Sequence, residues 1–531
     1  MTVIAFVVLA VYTASLAYIT VHCLLQFNLL YHYQRRSRKP VEPCPKLDGV
    51  IRRYERQAAT RAFASAGHQG GGPAITVETA TAPAPAPPFV TVQLPVYNEV
   101  YVIERLIDAV AAFDYPRDRF EIHILDDSTD ETVDLVAHKV EEYAARGFRI
   151  RQIIRDRRDG YKAGALRDGM AHARGEFIAI FDADFVPDPQ FLRSTIPHFL
   201  DAEVGVVQSR WEHLNADYSL ITRLQAMQLN VHFTVEQTGR MNGGHLLQFN
   251  GTAGVWRRAA IEAGGGWQPD TLTEDLDLSI RAQLAGYRIC YLEQLGSPAE
   301  LPVEMNSFKS QQHRWMKGGA ESARKLLPRV WRSDLTLSHK FHATVHLMAS
   351  SIFLFVFLCG VFSVPLLFLL PTLAPFGITK DFFTLFLAGL LSVVAVYFVA
   401  NVLSVANREG PTVSSILRFF LLFPLFLALS MGLSLHNSVA VLQGYRGKKS
   451  PFVRTPKFSI SSVRDHLRTG RYLSGRLNWI TVGEGLLGLY FAGAVVAAIY
   501  LGSTTFIAFH ALLALGFGTI FYYSVKHLGL K

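Results

Sequence analysis

The chain has 531 residues, half of them hydrophobic and only 18% charged, a balance that excludes an ordinary soluble protein and leaves room for one sizeable soluble domain beside several membrane spans. Its formal net charge is +9, but the basic residues gather beside apolar blocks, as in RRSRK (35–39) and GYRGKK (444–449), the pattern of cytoplasmic loops at a membrane. No basic patch interleaved with aromatic residues accompanies them, which argues against nucleic acid as a partner. Cys23, Cys44, Cys290 and Cys359 are scattered, so neither a disulfide framework nor a zinc spacing follows.

The first apolar block, 3–30, runs directly into RRSRK, with nothing basic before it and no small-residue cleavage pattern after it. It reads as a spanning anchor (1–34) with its N-terminus outside, not as a cleaved signal peptide. Residues 35–88 form a basic segment and a Gly/Pro/Ala linker, flexible at GGG and extended at APAPAPP. From 89 to 330 the runs 89–95, 120–127, 148–155 and 176–184 predict buried strands, separated by stretches with helical periodicity such as 99–112 and 129–145. This alternation implies βαβ units and a mostly parallel sheet, and ligands of such sheets collect outside the carboxyl ends of the strands. Two of the four runs end in aspartates.

The remainder, 331–531, reads as a membrane domain with spans at 342–370, 382–405, 482–500 and 503–524. Block 416–440 carries Arg418, Pro424, His436 and Asn437, which are costly in lipid, so it is expected to be interfacial or re-entrant. That assignment gives five spans and keeps the basic loop 444–476 on the cytoplasmic side; a sixth span is the competing count.

Several motifs carry chemistry. Asp182 and Asp184 follow a strand run, and two such carboxylates can share Mg²⁺ or Mn²⁺ together with substrate phosphates, offsetting the charge of a leaving diphosphate. Asp126 and Asp127 end another run, in a segment that serves either to cap the next helix or to accept hydrogen bonds from a nucleotide. Glu274 and Asp275 open an amphipathic stretch; Asp275 either complements the helix dipole or acts as the general base that deprotonates an acceptor hydroxyl. Lys162, in GYKAGAL, can approach a phosphate or face solvent. The glycine-rich loop 249–254 (FNGTAG) can lie along an acceptor channel. In QQHRW, Arg314 can grip diphosphate oxygens as a fork while Trp315 stacks on a sugar, unless the segment is simply an interfacial helix with an aromatic anchor.

Taken together, VYNE (96–99), LDDSTD, GYKAGAL, FDADF, FNGTAGVWR, TEDLDLS and QQHRW resemble the family 2 inverting glycosyltransferases, more narrowly the processive cellulose synthase superfamily and its cellulose synthase-like A and C proteins. The resemblance covers about 89–320. It implies an α/β GT-A catalytic domain inserted between transmembrane helices, in a multi-pass membrane protein whose catalytic domain is cytoplasmic. It further implies that Asp126 or Asp127 contacts the nucleotide, with Asp127 counted as catalytic beside the base Asp275. Lys162 joins the donor site, Asp182 and Asp184 hold the metal and diphosphate, and Gln311, Arg314 and Trp315 bind diphosphate and acceptor. Residues 452–457 (FVRTPK) resemble in part the FxVTxK gating loop of bacterial cellulose synthases, with Thr455 in the gating position. The expected activity is polymerisation of hexose from UDP-glucose or GDP-mannose into a β-linked polysaccharide passed across the membrane, its partners being the nucleotide sugar, the growing chain, the bilayer and accessory subunits of unknown identity. The alternative is a non-processive transferase making a glycolipid on a ceramide or polyprenyl phosphate.

Overall fold

A computed structural model describes residues 2–37, 87–378, 386–450, 452–460, 465, 477–504 and 506–529. The linker expected at 35–88 therefore lies, between 38 and 86, outside the described residues, as does much of loop 444–476.

The α/β domain is built on seven strands: β1 (Val90–Val96), β2 (Phe120–Asp126), β3 (Ile150–Ile154), β4 (Phe177–Ile180), β5 (Val204–His213), β6 (Gly254–Arg257) and β7 (Arg288–Ala299), in the order β3-β2-β1-β4-β6-β5-β7. Strands β2 and β4 are buried along their whole length, as strands covered on both faces are, and β4 (FIAI) reads as a continuous apolar run. Only β6 runs antiparallel to its neighbours.

Register places the functional loops. Val96 lies opposite Asp126, and Asp126 opposite Ile154, so the turns after β1, β2 and β3 emerge at one edge. Antiparallel β6 pairs Gly254 with Ile180, which delivers loop 249–253 to that same edge, beside Asp182 and Asp184. Six strands running one way and a short one running back thus make up the sheet, and the loops of its β1, β2, β3, β4 and β6 converge on a single rim.

The helix Met305–Arg332 connects this domain to the apolar helices. Glu304 caps it, accepting hydrogen bonds from the amides of Asn306 and Ser307 at 2.7 Å. Among the described residues, five helices are long and apolar enough to cross a membrane: Thr2–Arg35, Ala349–Phe376, Val413–Gly432, Trp479–Tyr500 and Ile507–Lys526. Block 382–405, expected to span, contains the shorter apolar helix Ala388–Leu403. Block 416–440 is two helices, Val413–Gly432 and Ser434–Tyr445. The first begins where Arg418 pairs with Asp217 of the α/β domain. It then packs so closely on the helix Ile507–Lys526 that a Cβ on Gly516 would overlap the Ala428 carbonyl. The second returns to Met305–Arg332, with Gly444 against Lys317 and Ala320. Both ends of the pair therefore meet the α/β domain. His436 and Asn437 are inside protein, and His436 Nε2 lies 3.0 Å from the Lys309 carbonyl, which explains how such residues persist in an apolar block.

A buried ion pair also joins the two halves. Lys309, on Met305–Arg332, donates to Glu484, on Trp479–Tyr500, at 2.7 Å, with both side chains almost wholly buried. Removing one partner strands the other charge. Lys309→Met is expected to destabilise the protein by about 3–5 kcal/mol, read as a lower midpoint of thermal unfolding in detergent. The double change Lys309→Met/Glu484→Leu is expected to recover most of that loss; no recovery would mean that the pair is not what holds this junction.

Candidate active site

The rim encloses an open cleft that reaches from the ends of β1 and β4 to the helix Met305–Arg332. Of the expected site residues, Asp127, Lys162, Asp182, Asp184, Asp275, Gln311, Arg314 and Trp315 all line it. Asp126 does not. Its carboxylate accepts hydrogen bonds from the Ser128 amide at 2.9 Å and from Gln152 Nε2 at 2.8 Å, so of the two roles open to this pair it takes the turn-holding one. A backbone amide two residues on is within easy reach of an aspartate, and that local bond competes with any external ligand.

At the centre, Lys162 donates to Asp182 Oδ1 at 2.5 Å and to the Gly251 carbonyl at 2.9 Å. Burial pulls the Lys162 ammonium down, but Asp182 and Glu274 outweigh it and hold the group above its ordinary value. Burial likewise pushes Asp182 up, against the pull of Lys162. Gly251 has φ +80°, and a Cβ there would lie 3.0 Å from Asp275 Oδ2 and 3.5 Å from Lys162 Nζ. Only glycine adopts that backbone freely, and its bareness leaves space between the lysine and the second acid. Asp275 accepts a hydrogen bond from the Leu276 amide at 2.8 Å, as expected at a helix N-terminus. Burial first, and the neighbouring Glu274 second, push its carboxyl up to about 7. The helix-dipole and base readings of Asp275 are therefore compatible: one oxygen holds the amide while the group keeps a pKa suited to proton transfer near neutrality. Asp277, two residues on, belongs to the scaffold, paired with Arg281 at 2.6 Å and Lys325 at 3.0 Å.

The far wall holds groups that the sequence reading missed. Asp127 receives a two-pronged hydrogen bond from Arg155, at 2.9 and 2.6 Å. The Arg158 guanidinium lies over the Tyr97 ring, 3.3 Å from its centroid. Neither arginine sits in a motif; both come from the loop after β3, whose placement depends on sheet order.

The opposite wall is the helix Met305–Arg332. Gln311, Arg314 and Trp315 stand at i, i+3 and i+4, hence on one helix face. Across them lies 452–460. Arg314 donates to the Val453 carbonyl and, at 3.0 Å, to Thr455 Oγ1, and its guanidinium is 4.9 Å from the centroid of Phe452. Burial pushes Arg314 down to about 10, still high enough to keep it charged. Arg454 pairs with Glu99 at 3.0 Å; burial pushes Glu99 up to about 8 even so. Lys457 donates to Asp184 Oδ2 at 2.7 Å and to the Glu300 carbonyl at 2.5 Å. Thus 452–457 lies along the cleft with two cations, Arg454 and Lys457. Among the described residues no group of three or more His, Cys, Asp or Glu is placed to hold a metal by itself.

A family model described as glycosyltransferase like family 2 matches residues 87–318. The chain is 44% identical over 261 residues to glucomannan 4-beta-mannosyltransferase 1 of Oryza sativa subsp. japonica, an alignment covering 48% of this chain and 50% of the rice protein. It is 33% identical over 422 residues to glucomannan 4-beta-mannosyltransferase 9 of Arabidopsis thaliana, covering 76% of this chain and 75% of that protein. Among solved structures it resembles a mannosyltransferase from Pyrobaculum calidifontis in complex with GDP-Man and Mn²⁺, with a TM-score of 0.51 at 18% identity over 83% of this chain and 100% of the other, a likeness of fold that agrees with the expected GT-A architecture. The chain spans about half the length of most of the curated relatives it matches and three quarters of one; with that identity sustained and the motif residues gathered on one cleft, the chain belongs to the family 2 glycosyltransferases, in the cellulose synthase-like A family.

Proposed function

We propose that this protein is a membrane-embedded, inverting, processive β-glycosyltransferase that adds hexose, with mannose from GDP-mannose favoured over glucose from UDP-glucose, to a growing β-1,4-linked polysaccharide and passes the chain across the membrane. The observation that carries it is the placement of Asp275 across the bare Gly251 from the Lys162–Asp182 pair. A base on one side and a diphosphate-holding cluster on the other suit displacement with inversion. The names of the relatives favour mannose and the 4-linkage.

Asp275 takes the proton of the acceptor hydroxyl as that oxygen attacks the sugar carbon, and the nucleoside diphosphate departs toward Lys162 and Arg314. Asp182 and Asp184 would hold Mg²⁺ or Mn²⁺: their donors are hard oxygens, and each already carries a cation, Lys162 on one and Lys457 on the other. With only two carboxylates, such an ion would depend on donor phosphates for its remaining ligands. When bound, the ion neutralises the diphosphate. The base form of Asp275 is present above pH of about 7 and lost below it, so log kcat/KM is expected to fall with unit slope on the acid side of neutrality. A flat profile down to pH 5 would remove Asp275 as the base.

The α/β domain faces the cytoplasm in this reading, with the pair Val413–Gly432 and Ser434–Tyr445 re-entrant, since both of its ends contact that domain. The deciding experiment is synthesis in membrane vesicles with labelled GDP-mannose or UDP-glucose and Mg²⁺ or Mn²⁺, followed by linkage and length analysis. Alkali-resistant β-1,4-polymer is the expected product; a single-sugar glycolipid alone would sink the polymer reading.

A further inference from the structure

Four histidines gather where the N-terminal apolar helix meets the α/β domain, and none of them lines the cleft. His32 lies near the end of that helix, His245 follows the helix Gln237–Gly243, and His339 and His342 stand on the helix Leu337–Leu347. The His245 ring is at the centre. It stacks on His342 with centroids 3.6 Å apart and planes 17° apart, and meets His32 and His339 edge-on at 5.8 and 5.2 Å. It is 7% exposed, and neither ring nitrogen has a hydrogen-bond partner among the described residues. A buried polar group left unpaired calls for an explanation.

The contact is close. Gly239 and Gly243 stand at i and i+4, on one face of their helix. A Cβ on Gly239 would overlap the Leu29 carbonyl, and one on Gly243 would press on the His245 and His32 rings. Nor is there an acid to balance a charge. Among the described residues the histidines that pair with a carboxylate are His123, His232 and His527, and none of these four does. The charged groups that face the cluster are cations: Arg35 beside His32, and Arg240 beside His245 and His342, with Lys340 next to His339 in the chain. Glu236, one turn before Arg240, is already shared by Arg240 and His232. Burial first, then His342 and His339, push His245 down to about 3, and burial lowers His342 as well. Rings kept neutral in this way contribute stability above the ordinary imidazole value of about 6.5. They lose it as the pH falls below that, because the unfolded chain takes up protons that the folded one refuses.

We propose that His32, His245, His339 and His342 form an acid-sensitive latch. Neutral, the rings hold the N-terminal helix and the helix Leu337–Leu347 against the α/β domain; protonated, they repel one another and Arg240, and the contact opens. The latch bears on the cleft through one short segment. His245 begins the stretch that leads to Gly251 beside Asp275, and within it Gln248 Oε1 lies 3.1 Å from His346 Nε2 while the Gln248 carbonyl accepts from Gln237 at 2.7 Å. The latch itself stands on the fold; its effect on hexose incorporation rests on the transferase reading above.

The test follows the thermal unfolding midpoint of the full-length protein in detergent between about pH 7.5 and about pH 5.5, either side of the imidazole range. It compares wild type with His245→Phe, His342→Phe and His342→Arg. Phenylalanine keeps a ring in the stack and removes the proton site, so each Phe variant is expected to lose about 3 °C less than wild type across that range. A role in packing alone would shift the midpoint equally at every pH. His342→Arg carries a fixed charge. At about pH 7.5 it is expected to unfold as early as wild type does at about pH 5.5, and to incorporate hexose more slowly than wild type. Parallel falls in wild type and both Phe variants would overturn the latch, as would a His342→Arg midpoint equal to that of wild type at the higher pH. Because His342 is the outer ring of the stack, its two variants decide the matter even if His245→Phe folds poorly. Midpoints that move as expected in a protein that transfers hexose from neither donor would instead overturn the transferase reading and leave the latch standing.

Discussion

Asp275→Asn is expected to lower the rate of hexose incorporation by a factor on the order of 10²–10⁴, the usual contribution of a positioned general base, while donor Kd stays at the wild-type value. Asparagine keeps an oxygen for the Leu276 amide, which Asp275 accepts at 2.8 Å, and remains a competent residue at a helix N-terminus. The helix therefore survives and only the proton acceptor is lost. A companion change reads the electrostatics. Glu274 is the second cause, after burial, of the raised Asp275 pKa, so Glu274→Gln is expected to move the acid limb of the pH profile to lower pH. Incorporation by Asp275→Asn at the wild-type rate would place the base elsewhere.

How far the chain explains itself differs by region. The first four strands were legible as short runs rich in β-branched and aromatic residues between stretches of helical periodicity, and the runs of β2 and β4 lead into Asp126–Asp127 and Asp182–Asp184. Strands β5, β6 and β7 were not: β6 is only Gly254–Arg257, and its reversed direction has no local signature. The acids Asp182, Asp184 and Asp275 were legible as strand-end and helix-start residues. Their partners were not, because Lys457 reaches Asp184 across 273 residues and Arg155 reaches Asp127 only once β2 and β3 pair. Glu99 lay inside a motif that was noticed, but nothing in its spacing announced Arg454. Of the pair Asp126 and Asp127, it is Asp127 that lines the cleft, while Asp126 holds the Ser128 amide and Gln152.

Arg314→Lys is expected to cost about 10²-fold in kcat, comparable to removing one preorganised donor from a developing anion, and to do so with the charge intact. The guanidinium is held by several contacts at once: the Val453 carbonyl, Thr455 Oγ1 at 3.0 Å and the Phe452 ring at 4.9 Å. Lysine is a point charge and cannot bond two groups in a plane while stacking on a third. Two consequences separate a fork from a simple cation. Donor Kd is expected to weaken only a few-fold, since Lys162 still supplies positive charge, so the loss falls mainly on the bond-breaking step. Residues 452–460 are expected to lie less firmly over the cleft, and cleavage by trypsin after Arg454 and Lys457 is then faster than in wild type. The two readouts move together only if one side chain serves both tasks, holding the covering segment and receiving the diphosphate. A lysine variant with wild-type kcat and unchanged trypsin sensitivity would return QQHRW to the simpler role of an interfacial helix with an aromatic anchor. A variant with faster cleavage but full kcat would leave Arg314 as a clamp on the segment and move diphosphate stabilisation to Lys162 and the paired aspartates.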